Sequence, residues 1–344
     1  MSPRHSPPRR ATASLGVSLL ALGVAACAPR ADPRLVTQPI AARTWVSPLH
    51  RDHPLVGRVW DGRAGAFADE ATLAAAVAAA DFVLLGEVHD NVDHHLLQAR
   101  LVRAALAGGR RPVLAFEMLT ADQQPTVDAA LARAPRDPDA LAPIWKESRW
   151  PDFASYRPIF AAGLEAGLPV VAANLPRALM KAIVSKGAAG LEAPLRSRLS
   201  RDEPLPPEVL EGLRKEMRES HCGELPEVML DPLVLAQRAR DAQMALRMAE
   251  AGAERGAVLV TGNGHARIDR GVPAALAREL PGRRIVSVAF LEVDADAQDP
   301  AAQMAAILKD LGAKTFPFDY AVFTPGAERG DPCEALRARS RPRG

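Results

Sequence analysis

Aromatic residues are sparse in this chain. They make up 4 % of its 344 positions and include two tyrosines, Tyr156 and Tyr320. Any chemistry that needs a phenol must use one of those two. Cysteine is nearly as rare, and three residues exclude a disulfide-stapled miniature. No charge of one sign dominates. The balance of 43 Lys+Arg against 41 Asp+Glu leaves +2, too little basic surplus for a nucleic-acid protein that works by counterion release. After the amino terminus no apolar run approaches the ~20 residues that cross a bilayer. What is present is an ordinary globular composition, 48 % hydrophobic and 24 % charged, which excludes a mainly disordered chain. Thirty prolines and 24 glycines make the segment boundaries legible.

The first ten residues carry Arg4, Arg9 and Arg10 without an acid, and residues 11–26 carry no charge. A basic start followed by a short apolar run is a secretory signal. It ends in Val24-Ala25-Ala26-Cys27, which resembles a bacterial lipoprotein box, so Cys27 is the expected lipidation site. Ala28 rather than aspartate follows, which favours the outer membrane, with the protein facing the periplasm. Residues 27–50 contain Pro29, Pro33, Pro39 and Pro48 with little periodicity and read as a tether, leaving residues 51–344 as one domain. In an oxidising compartment Cys222 and Cys333 either bridge the carboxy tail to a central loop or remain two free thiols.

The domain alternates apolar runs with helical patterns. The runs are Phe82–Leu85, Val113–Phe116, Val170–Ala173, Val258–Thr261, Ile285–Val293 and Tyr320–Phe323. Their length and unbroken apolarity suit strands buried on both faces. Helical stretches are expected at 69–80, 91–107, 121–133, 153–166, 232–251 and 299–311. The prediction is an α/β fold with a mainly parallel sheet flanked by helices on both faces, and a proline-rich helical insertion around 187–232.

Polar groups gather where these runs end. Gly86-Glu87-Val88-His89 follows the first, Glu117 the second, Asn174 and Arg177 the third, and Gly262-Asn263-Gly264-His265 the fourth. Ligands of open parallel sheets sit beyond the carboxyl ends of the strands. Glu87, His89, Glu117 and His265 therefore form a candidate set for a divalent metal, or for general acid–base hydrolysis. His94 and His95 are adjacent on a helix and so cannot both face one site. Gln237, Asp241, Met244 and Met248 share one face of the 232–251 helix. That face is either a core stripe, or it brings Gln237, Arg240 or Asp241 to the cluster.

The segments LLGEVHDNVDHH (84–95), AFEM (115–118), VVAANLPR (170–177), SHCGELP (220–226), LAQRARDAQMA (235–245), TGNGHAR (261–267) and DYAVFTP (319–325) occur in order along nearly the whole mature chain. In them the sequence resembles the ChaN family of haem-binding lipoproteins, part of a wider group with erythromycin esterases and Tiki proteases. The resemblance implies haem held between two subunits of a homodimer, in a surface-tethered role in haem and iron uptake. It also implies tyrosine as the iron ligand, helped by a histidine of the other subunit. Of the two tyrosines Tyr156 is preferred over Tyr320, because the adjacent Arg157 favours phenolate. Asn174, Arg177, Arg240, Asp241 and His265 are the other residues expected near the haem. The absence of Cys-x-x-Cys-His excludes covalent attachment. The alternative reading, implied by the wider group and by the His/Glu cluster, is a metal-dependent hydrolase.

Overall fold

The computed structural model describes residues 33–148, 150–200, 204–331 and 333–334. The expected signal segment 1–26 and the expected lipidation site Cys27 lie outside them. The strands are β1 (Val59–Asp61), β2 (Ala66–Ala68), β3 (Phe82–Glu87), β4 (Val113–Thr120), β5 (Val170–Asn174), β6 (Ala257–Gly262), β7 (Ile285–Glu292) and β8 (Tyr320–Thr324). They form one eight-stranded sheet in the order β2-β1-β8-β7-β3-β6-β4-β5. The six strands expected from the apolar runs are all present and pair in parallel. The β1–β2 hairpin adds an antiparallel edge that the sequence did not suggest. Its strands are three residues each, too short to show a period.

Alternation along the buried strands divides the core in two. Val83, Leu85, Leu114, Phe116, Val258 and Val260 face one way. They pack with Leu73, Leu96 and Phe160 from the helices Glu70–Ala79, Val92–Ala107 and Phe153–Glu165. Phe82, Leu84, Val113, Ala115 and Leu259 face the other way. They pack with Met244, Met248, Leu276 and Ile307 from the helices Leu230–Ala251, Val272–Glu279 and Pro300–Asp310. Each such buried Leu, Phe or Met contributes about 1.5–3 kcal/mol relative to exposure. The two faces together explain why the runs Phe82–Leu85, Val113–Phe116 and Val258–Val260 are unbroken by polar residues.

The insertion is helical, as expected. Arg177–Lys186, Ala193–Ser200 and Pro207–Ser220 lie against the long helix Leu230–Ala251 through Ile183, Leu195, Leu213 and Met217. Cys222 and Cys333 are joined by a disulfide, with their Cα atoms 5.6 Å apart.

Residues 33–50, read from the sequence as part of a tether, pack against the domain. The chain docks on the domain from Pro33 onward, in short 3-10 turns at Pro33–Thr37 and Ile40–Ala42. Val36 and Ile40 are buried in the core, and Asp93 accepts hydrogen bonds from the backbone N–H groups of Val46 and Ser47. Leu49 bridges Gly326 beside β8. Apolar side chains four residues apart, too few to show as a period, account for the difference.

Candidate functional site

The carboxyl ends of β3, β4 and β6 open into a cavity of about 1000 Å³. Glu87, His89, Glu117, Arg240, Gly262 and His265 line it on the sheet side. Met217 and His221 from the insertion, Leu233 from the long helix, and Ile307 and Leu311 from the last helix and its end also line it.

Glu87 is the last residue of β3 and fully buried. Its Oε1 accepts from His89 Nδ1 at 2.7 Å and from the Tyr156 hydroxyl at 2.6 Å. His95 Nε2 lies 3.3 Å from Oε2. Burial would raise this carboxyl, but the imidazoles of His95 and His89 outweigh it and hold it well below the usual carboxylate range. His89 responds in the opposite sense. Burial lowers it, yet the Glu87 hydrogen bond and the Glu117 and Glu87 charges push it up to about 8.

Glu117 sits in β4 where the pairing with β5 shifts register between Phe116 and Thr120. Such an irregularity re-aims a side chain beside a site. Glu117 Oε2 accepts from Thr261 Oγ1 and from the Gly262 N–H, both at 2.7 Å. Its Oε1 pairs with Arg240, and His265 Nε2 lies 3.5 Å away. Burial opposes ionisation of Glu117, but the His265, Arg240 and His89 charges outweigh it and lower it to about 2. His265 Nδ1 meets Asp241 Oδ1 at 2.6 Å, and Gln237 Nε2 is 3.3 Å from His265 Nε2. Burial raises Asp241 despite the His265 charge.

The face of the long helix thus serves both roles left open by its spacing. Met244 and Met248 enter the core, while Gln237 and Asp241 reach His265, and Arg240 reaches Glu117 from beside them. Asn174 does not line the cavity but braces it. Its Nδ2 donates to the Glu117 carbonyl at 2.8 Å and its Oδ1 accepts from Arg240 Nε at 3.2 Å. The glycines permit close approach. A Cβ on Gly262 would lie 2.9 Å from His89 Nε2, and one on Gly86 would lie 2.5 Å from Asn263 Oδ1.

Several expected site residues stand elsewhere. Tyr156 is completely buried beneath the cavity, its ring 3.9 Å from that of His95 and its hydroxyl committed to Glu87. Burial and the Glu87 charge raise its pKa well above the ordinary phenol value, so phenolate formation, which iron ligation needs, is opposed twice over. Tyr320 opens β8 opposite Asp61, at the other end of the sheet. Arg177 is exposed at the start of its helix and does not line the cavity. The tyrosine-ligand expectation therefore does not fit the cavity, because neither phenol reaches it.

The divalent-metal expectation finds no support in the arrangement. No group of three or more His, Cys, Asp or Glu is placed to hold a metal ion among the described residues. Glu87 Oε1 is taken by imidazole and phenol, both Glu117 oxygens by hydroxyl, backbone N–H and guanidinium, and Glu87 Oε2, which has no hydrogen-bond partner among the described residues, faces the His95 ring at 3.3 Å. Residues that sequence reasoning missed are Thr261, hidden inside an apolar strand, and His221, which lies in the insertion. His94 is structural. Its Nδ1 accepts from the Val88 N–H at 2.9 Å, and its Nε2 faces Thr324 Oγ1 at 2.8 Å.

A mostly parallel α/β sheet with a carboxylate–imidazole cluster and an open cavity at its carboxyl edge is a ligand-binding or hydrolytic architecture. The sequence model of the family described as haem-binding uptake, Tiki superfamily, ChaN matches residues 73–276, and the chain belongs to that family. The fold is similar to that of the ChaN protein of Campylobacter jejuni, solved with cofacial haem, at 20 % identity over 77 % of this chain and 95 % of that one, with a TM-score of 0.59. A more distant likeness is a mutant of the erythromycin esterase EreC in its open conformation, 14 % identical over 77 % of this chain and 95 % of that one, with a TM-score of 0.40. Among curated proteins none matches the chain in sequence.

Proposed function

We propose that the protein is a haem-binding lipoprotein of the bacterial cell envelope. It would be anchored through Cys27, at the outer membrane facing the periplasm, and act as a homodimer in haem and iron uptake. The observation that carries this reading is membership of the haem-binding uptake family, joined to a cavity of about 1000 Å³ at the carboxyl edge of the sheet. That volume is at the upper end of the ~300–1000 Å³ typical of small-molecule pockets. Its apolar wall of Met217, Leu233, Ile307 and Leu311 suits a porphyrin face. Haem is the cargo here, and the residues of the sheet edge shape and charge its container. The test is an absorption titration of the mature protein with hemin, followed by gel filtration. Co-elution of pigment and protein supports the reading; free pigment after filtration ends it. Replacing Cys27 by serine in the full chain and following the protein between soluble and membrane fractions tests the anchor.

A second reading rests on the two carboxylate–imidazole pairs, Glu87–His89 and Asp241–His265. An imidazole oriented by a carboxylate is the arrangement of a general base. This hydrolytic reading needs no metal. It predicts ester or amide turnover that disappears in His265→Ala.

A further inference from the structure

We propose that His221 supplies the nitrogen that binds the iron of haem in this protein. The inference rests on the haem-binding reading above and names its ligand.

Three histidines line the cavity: His89, His221 and His265. Two of them are committed. His265 spends Nδ1 on Asp241 at 2.6 Å, and Gln237 and Glu117 lie 3.3 and 3.5 Å from its Nε2. His89 spends Nδ1 on Glu87 at 2.7 Å and turns Nε2 onto the backbone of Gly262, where a single added Cβ would come within 2.9 Å. His221 differs. Its Nδ1 lies 2.9 Å from the Met217 carbonyl oxygen and 3.1 Å from the Ser220 hydroxyl, which is itself 3.3 Å from that carbonyl. The carbonyl only accepts and is the nearer partner, so Nδ1 carries the proton and the lone pair is on Nε2. No hydrogen-bond partner of that Nε2 occurs among the described residues. Ligating imidazoles are commonly oriented in this way, with the second ring N–H held by a backbone carbonyl. Imidazole is also an ordinary haem ligand.

The surroundings fix the ring in place. His221 ends the helix Pro207–Ser220, whose Met217 shares the cavity wall. The next residue, Cys222, has φ of 62°, a left-handed conformation uncommon outside glycine. The disulfide ties Cys222 to Cys333 in the carboxy tail. Arg329 in that tail pairs with Asp90 at 2.8 Å and with Glu292, itself a cavity residue, at 2.6 Å. The ligand would therefore be carried on an insertion that is covalently strapped to the sheet edge. This arrangement replaces a tyrosine ligand that the fold has buried.

The experiment titrates hemin into the wild-type protein, His221→Ala and His221→Gln. Circular dichroism confirms folding, and absorption and electron paramagnetic resonance spectra are recorded with and without added imidazole. Hemin affinity should fall by about tenfold or more in both variants. The spectrum of nitrogen-ligated ferric haem should be lost with it, and free imidazole should restore that spectrum in His221→Ala. Folded variants with the wild-type spectrum would overturn the ligand assignment while leaving haem binding intact. A wild-type protein that takes up no hemin would overturn the haem reading, and the assignment with it.

Discussion

The Tyr156 hydroxyl donates a 2.6 Å hydrogen bond to Glu87 from a position with no solvent exposure. One of the chain's two phenols is thereby a structural brace for the innermost carboxylate of the site. Tyr156→Phe should cost about 1.5–3 kcal/mol in chemical denaturation, the usual loss for a hydrogen bond to a charged group. The hemin absorption spectrum should not move. Loss of the hemin spectrum in a folded Tyr156→Phe protein would reverse this assignment.

His89 makes stability depend on pH. Its pKa rises on folding from 6.5 to about 8. Because the folded value is the higher one, the contribution of the protonated ring is fully present below pH 6.5 and is lost as pH climbs through 8. The side chain is 33 % exposed, so solvent screening trims the effect to about 1 kcal/mol. Denaturation midpoints between pH 6 and 9 should fall in wild type and stay flatter in His89→Asn. Equal slopes in the two proteins would contradict the pairing with Glu87.

Gly262→Ala should damage the site without replacing any of its titratable groups. The new Cβ would meet His89 Nε2 at 2.9 Å, inside the contact distance of real Cβ atoms. Overpacking of this kind costs about 1–3 kcal/mol and displaces the ring from Glu87. Nuclear magnetic resonance of the histidine ring should show the His89 titration moving back towards its ordinary value. An unchanged titration would mean that the glycine is not needed there.

The Cys222–Cys333 bridge closes a loop with a sequence separation of 111 residues. Replacing both cysteines by serine should cost about 2–5 kcal/mol. Alkylation of the oxidised wild type should label neither cysteine. Labelling of both without reductant would show that the tail is not strapped to the insertion.

Much of this site could be read from the chain before folding it. Strands buried on both faces must be continuously apolar, so the ends of the apolar runs stand out and point to Glu87, Glu117, Asn174 and His265, although β4 itself continues past Glu117 to Thr120 through an irregular pairing. The helical spacing of Gln237 and Asp241 placed them on one face, but only the packing of the long helix decided that this face runs from the core to the cluster. Other features leave no such mark. The β1–β2 hairpin is too short for a period. Val36 and Ile40 dock a segment that looks like a linker. Tyr156 sits beside Arg157, which suggested an activated phenol, yet the helix turns Tyr156 inward to Glu87 and leaves Arg157 to pair with Asp139 at 2.8 Å. Neighbours in sequence on a helix face different ways, and no local pattern revealed which way this one turned.

The most direct test is whether filling the cavity abolishes haem uptake. Leu233 lines it from the long helix, and Leu233→Trp places a large ring there without altering any charged residue. Hemin titrations of wild type and Leu233→Trp should give a saturable Soret shift in the first and little or none in the second, with both proteins folded by circular dichroism. The same shift in both proteins would place haem elsewhere and contradict the account.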